Sequence, residues 1–181
     1  RAEREGQLTL FGWDIDIDWV EHTPAVVPAI IYAIRAFTRP GDNIVMQMPI
    51  YHPFHEIIPH NGRHILGNPL VPNKEGGYDV DFDNLEKHLS KKRTTLFLLC
   101  SPHNPGGKCF TSEELARMAE LCLKHHVFVV SDEIHSDIVF PWAKHTPLAS
   151  LSEKAAAISL TTIAPSKPFN IAGLSTSAVI V

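Results

Sequence analysis

Cysteine is scarce in this chain. Three stand among 181 residues, Cys100, Cys109 and Cys122. The number is odd and no two share a C-x-x-C spacing, so neither a disulfide framework nor a zinc knuckle is expected. A reducing, cytoplasmic setting follows as the expectation. Long apolar runs are missing as well. The longest, Ala25–Ile34, is interrupted by Pro28 and is far too short to span a bilayer, so no membrane partner is expected. Basic charge is not in excess: the formal net charge is −4. The densest basic run, Lys91-Lys92-Arg93, reads as a solvated helix end. A nucleic-acid binder would carry a basic face, so nucleic acid is not an expected partner. The opening Arg1-Ala2-Glu3-Arg4 lacks a signal-peptide pattern. No internal repeat or low-complexity tract interrupts the chain.

Metal-binding patterns are also lacking, although the chain has eleven histidines. His52, His55, His60 and His64 lie close in sequence and His125-His126 are adjacent. None forms an H-E-x-x-H or H-x-H pattern with an accompanying carboxylate, and no catalytic metal is expected.

What is present suits a globular α/β protein. Hydrophobic residues make up 44% of the chain, an ordinary share. A chain of this length can bury roughly 70% of its unfolded surface. Apolar runs alternate with helical patterns, which points to a parallel sheet. The strand candidates are Asn43–Met48, His64–Pro69, Thr95–Ser101, Val127–Ser131, Ala157–Leu160 and Ser177–Val181. The third and fourth are almost wholly apolar or β-branched, as central strands covered on both faces would be.

Helices fit between these strands. Pro28–Phe37 opens with a proline in its first turn and closes at Arg39-Pro40-Gly41. Phe82–Leu89 is short and amphipathic. Thr111–His125 starts with a capping box, Thr111 to Glu114. Its Leu115, Met118, Ala119 and Cys122 share one helical face, so Met118 and Cys122 are expected in the core. The chain starts without Met and stops inside the apolar run Ala178–Val181, so a piece of a longer protein is expected.

Open α/β sheets bind ligands at the carboxyl ends of their strands. Four such ends carry chemistry here. Pro49-Ile50-Tyr51 follows the first strand candidate, and Ser101-Pro102-His103-Asn104-Pro105-Gly106-Gly107 follows the third. Ser131-Asp132-Glu133-Ile134-His135 closes the fourth. Pro165-Ser166-Lys167-Pro168-Phe169-Asn170 comes after the fifth. An aromatic ring, an amide, a carboxylate and an amine therefore converge on one edge of the predicted sheet. Glu133 and Asp137, which flank this carboxylate, read as structural or as supports of neighbouring site residues rather than as catalytic.

The segments SPHNPGG, SDEIHSD and SKPFNIAG resemble the signatures of fold-type-I pyridoxal-phosphate (PLP) enzymes, the class I/II aminotransferase superfamily. Within it they resemble the cystathionine β-lyase, or cysteine-S-conjugate β-lyase, branch. The resemblance covers essentially all of residues 1–181, which would form the PLP-binding large domain without its small domain. It implies a three-layer α/β/α fold on a mostly parallel seven-stranded sheet, with Ser177–Val181 antiparallel. It implies PLP as cofactor, an amino-acid substrate and a homodimer. Lys167 would hold the cofactor as a Schiff base and move the substrate's Cα proton. Asp132 would keep the pyridine nitrogen protonated. Asn104 would bond the ring's 3-oxygen and Tyr51 would stack on its face. The amides of Val26 and Val27, with Ser166, would cradle the phosphate.

Two positions depart from the common aminotransferase pattern. His135 stands three residues after Asp132, where many aminotransferases have tyrosine, and this resembles the lyase branch. Ser175 stands where many carry a phosphate-pairing arginine, so the phosphate would rest on amides and hydroxyls. The implied reaction is α,β-elimination of a cysteine S-conjugate to thiol, pyruvate and ammonia. Two alternatives stay open: an aminotransferase on the same site, and a PLP-binding regulatory module with little turnover.

Overall fold

The computed structural model describes residues 1–181. Helix α1 (Ala2–Phe11) precedes strand β1 (Val20–Thr23), helix α2 (Val26–Phe37) and strand β2 (Asn43–Met48). Helix α3 (His52–His60) leads to the strands β3 (His64–Pro72) and β4 (Tyr78–Val80). Then come α4 (Phe82–Leu89), β5 (Thr94–Cys100), α5 (Ser112–His125) and β6 (Phe128–Asp132). The last elements are α6 (Glu153–Ala157), β7 (Ser159–Ile163) and β8 (Ser177–Ile180).

The strands form one sheet in the order β1-β8-β7-β6-β5-β2-β3-β4. The five central strands, β7-β6-β5-β2-β3, are mutually parallel. β8 runs antiparallel to both β7 and β1, and β4 antiparallel to β3. The α/β class and the mostly parallel sheet agree with expectation. The count does not: the sheet has eight strands rather than seven. β1 and β4 escaped the sequence reading because four and three residues are too few for a two-residue period to show.

Side-chain alternation along the central strands builds two cores. Ile44 and Met46 of β2 join Leu96 and Leu98 of β5 under α2 and α3. Val45, Phe97 and Leu99 point the other way, under α4 and α5. This is a three-layer arrangement. Met118 and Cys122 are both fully buried in the second core.

Local signals explain most element boundaries. The capping box on α5 forms: the Glu114 amide donates to Thr111 Oγ1 at 3.2 Å, and the Thr111 amide donates to Glu114 Oε2 at 2.9 Å. Helix α2 starts two residues before the expected Pro28, since a proline without an N–H fits anywhere in a first turn. The strand expected at Ala157–Leu160 begins at Ser159, because Ala155–Ala157 complete a helix capped by Ser152. Helix α3 was not expected at all. It contains Pro59, an interior residue that costs about 3 kcal/mol. Its Phe54, Ile57 and Ile58 are buried, each worth about 2 kcal/mol or more, and packing therefore outweighs propensity. No helix is long and apolar enough to cross a membrane.

Candidate active site

The carboxyl ends of β2, β5, β6 and β7 all open on one side of the sheet. The amino end of α2 meets them there. Between them lies a cavity of about 160 Å³. All eight residues singled out from the sequence line it: Val26, Val27, Tyr51, Asn104, Asp132, His135, Ser166 and Lys167.

Each arrives by a short path. Tyr51 is the N-cap residue of α3, three residues past β2, and its ring meets Phe54 edge-on at 5.6 Å. Asn104 lies in the loop after β5, and Asp132 is the last residue of β6. His135 follows in the turn beyond. Ser166 and Lys167 occupy a turn after β7, held by the Phe169 amide donating to the Pro165 carbonyl at 3.1 Å.

The start of α2 is open to a ligand. Asp81, Thr111 and Ser152 cap α4, α5 and α6 with side-chain oxygens, but the N-cap of α2 is Ala25, which has none. Pro28 has no N–H. The first amide of the helix with an acceptor is Ala29, 3.1 Å from the Ala25 carbonyl. The amides of Val26 and Val27 are left unpaired at the positive end of a twelve-residue helix, the arrangement that attracts an anion.

Asp132 is 4% exposed. The Ile134 amide and Thr162 Oγ1 donate to it at 3.3 and 3.2 Å, and both end on Oδ1. Oδ2 takes no hydrogen bond from the protein. Burial pushes this carboxyl up to about 6, against those two donors; Glu133 adds to the rise and Lys167 opposes it. A cation or a charged N–H placed at Oδ2 would restore the carboxylate. His135 is shifted the other way. Burial lowers its proton affinity and the charge of Lys167 lowers it further, so its ring is neutral at pH 7. Lys167 itself is exposed to the cavity.

The sequence reading missed some of the lining. Ser175 was noticed only for not being arginine; the structure puts it on the cavity beside Thr176. Ser175 takes a left-handed backbone, φ 47°, which is uncommon for a residue with a Cβ. Thr162 was not found either. It is the register partner of Asp132 across β6 and β7, so only the strand pairing reveals it.

Residues 23–181 match the family aminotransferase class I and II. The chain belongs to that family. It is 52% identical over 170 residues to cystathionine beta-lyase PatB of Bacillus subtilis (strain 168), across 94% of this chain and 44% of that protein. The chain thus spans less than half the length of this curated relative. Among solved structures, cystalysin from Treponema denticola, which contains a pyridoxal 5'-phosphate cofactor, superposes with a TM-score of 0.96. It is 38% identical over 99% of this chain and 45% of its own. The PLP-bound C-S lyase from Staphylococcus hominis gives a TM-score of 0.92 at 30% identity, over 99% of this chain and 46% of its own.

Proposed function

We propose that the protein containing this domain is a PLP-dependent carbon–sulfur β-lyase, acting on cystathionine or a related cysteine S-conjugate. The observation that carries this is the convergence of an amine, a half-satisfied buried carboxylate and two free helix amides on one cavity. These groups fit PLP one by one. Lys167 would bond its aldehyde carbon. Oδ2 of Asp132 would accept from its ring nitrogen. Asn104 would donate to the 3-oxygen, and Tyr51 would cover one ring face. Val26, Val27 and Ser166 would hold the phosphate, with Ser175 and Thr176 adding hydroxyls where an arginine is lacking.

When bound, the cofactor supplies an electron sink for a carbanion at the substrate's Cα. The protein's residues supply the rest. Lys167 Nζ takes the Cα proton. Asp132, ionised by such a partner, would keep the ring nitrogen charged. The neutral ring of His135 contributes bulk and a hydrogen-bonding nitrogen without a second positive charge beside Lys167. The Cβ–S bond would then break, the sulfur leaving with a proton as thiol, and the released aminoacrylate would take up water to give pyruvate and ammonia.

A homodimer and a cytoplasmic location belong to the same proposal. Phe140 and Trp142 stack at 4.6 Å and are 67% and 81% exposed. Exposed apolar pairs of this kind favour a partner surface, and size-exclusion chromatography of the full-length protein tests it.

The deciding experiment is a visible spectrum of the full-length protein with PLP, followed by cystathionine and a pyruvate assay. An absorbance band that disappears in Lys167→Ala, with pyruvate formed without any keto acid, is the expected result. Turnover only with an added keto acid would replace the lyase by an aminotransferase. A band with no turnover would leave a regulatory PLP protein, and no band would overturn the proposal.

A further inference from the structure

The loop that carries Asn104 is closed on one residue, His103. The His103 amide donates to the Lys108 carbonyl at 2.8 Å, and the Gly107 amide donates to the His103 carbonyl at 2.8 Å. The ring closes the loop a third time: the Gly106 amide donates to Nδ1 at 3.2 Å. His103 is 3% exposed, and Phe110 meets its ring edge-on at 6.3 Å. The residue on one side of Asn104 is thus tied to three residues on the other.

Two observations make this ring more than core filling. Its Nδ1 accepts a hydrogen bond, so the proton of the neutral ring sits on Nε2. Burial lowers the proton affinity to about 4, against an opposing effect of the Gln47 main chain, so the ring is neutral at pH 7. Nε2 is buried without a well-formed hydrogen bond, which leaves the bond to Gly106 as the ring's one well-formed polar tie. Ring and loop also meet without room to spare. A Cβ on Gly106 would stand 2.9 Å from Nδ1 and 3.4 Å from the Tyr78 ring. Glycine is needed there for the close approach of the ring.

Asn104 depends on this closure. The loop's side-chain hydrogen bonds run from Cys100 to the Pro102 carbonyl and from the Gly106 amide to His103, and neither holds the Asn104 amide. Yet Asn104 lines the cavity together with Asp132 and Lys167. Its direction is set by the main chain, and the main chain is set by His103. His103 itself does not line that cavity.

We propose that His103 is a positioning residue of this site: its Nδ1 latches Gly106 and so aims the Asn104 amide at the 3-oxygen of the cofactor. The inference rests on the reading of Asn104 as that oxygen's donor. A donor there stabilises the oxygen as an anion. With Asn104 misaimed, the bound chromophore holds its proton to higher pH.

The test is the pH at which the visible band of full-length holoprotein changes, compared among variants. Asn104→Ala should raise that pH by about one unit, a hydrogen bond to an ionised oxygen being worth that much. His103→Leu and Gly106→Ala should each raise it by a similar amount. His103→Asn, whose side-chain oxygen can stand in for Nδ1 as acceptor, should keep the wild-type value. In the Asn104→Ala background His103→Leu should add nothing, because the two residues act through one contact. An unshifted band in folded His103→Leu, or a fully additive shift in the double variant, would overturn the proposal. A second measurement needs neither a folded variant nor the cofactor: nitrogen NMR of full-length apoprotein labelled at histidine, with His103 assigned through the Gly106 amide. A proton on Nε2, a bare Nδ1 and no titration down to about pH 5 are expected. A proton on Nδ1, or a charged ring at pH 7, would sink the latch whether or not PLP binds. A wild-type protein with no visible band would instead remove the PLP reading, and Asn104's target with it, while the nitrogen signals still report on the latch.

Discussion

Asp132 and Glu133 are consecutive residues on opposite faces of the sheet, 4% and 1% exposed. Glu133 has hydrogen-bond partners on both oxygens, one of them an imidazole. Asp132 has two donors, both on Oδ1. An ionised carboxylate is costly to bury unless it is paired and hydrogen-bonded, and the protein meets that cost on one face only. On the other the cost is left standing, and Asp132 holds its proton up to about pH 6. A buried acid with one oxygen unused marks a place open to a ligand; a buried acid with both oxygens used marks structure.

The sharpest test of this contrast lies beyond the carboxylates. Lys167→Ala should lower pyruvate formation on the order of 10³-fold, while the urea midpoint of the apoprotein stays near wild type, because Lys167 is exposed and makes no hydrogen bond from its side chain. Glu133→Ala should do the reverse in kind. It strands His145 in the core and should cost about 3–5 kcal/mol in urea unfolding; a loss below about 1 kcal/mol would break the comparison.

The two faces should also answer pH in different windows, each losing stability as pH rises. His145 is raised from 6.5 to about 9 despite its burial, through Cys109 and Glu133. Its contribution to stability is fully present below about pH 6.5 and is lost as pH rises through 9, on the order of 3 kcal/mol. Asp132 is raised from 3.8 to about 6 by burial. The apoprotein's stability from this group is present below about pH 4 and lost as pH rises through 6. Asp132→Asn should therefore stabilise the apoprotein at pH 7 by about 3 kcal/mol and flatten the acid window while weakening activity. Urea midpoints across pH 4–9 read both. The smallest effect is expected from Thr162→Val. It removes one donor to Asp132 Oδ1, costs about 1 kcal/mol, and moves the Asp132 titration further up, measurable by NMR of the carboxyl carbon.

Much of the fold was legible along the chain because its signals are local. The capping box Thr111–Glu114, the bounds of β2 and α4, and the apolar runs of β5 and β6 each depend on residues within a few positions of one another. The candidate site was legible for the same reason. Its residues follow the carboxyl ends of strands, so placing the strands places the side chains. Short β1 and β4 carry too few residues for a period, and α3 forms against Pro59 by burying Phe54, Ile57 and Ile58.

Other features existed only once the strands had paired. Thr162 meets Asp132 through the β6–β7 register. Glu133 and His145 are twelve positions apart and meet at 2.9 Å, and no spacing rule joins them. The sequence by itself determined which chemical groups arrive at the sheet's carboxyl edge, since strand period and loop position are short-range properties. Only the tertiary structure decided which buried carboxylate is satisfied and which is left open. Burial and hydrogen-bond partnership depend on segments far apart in the chain, and no local pattern encodes them.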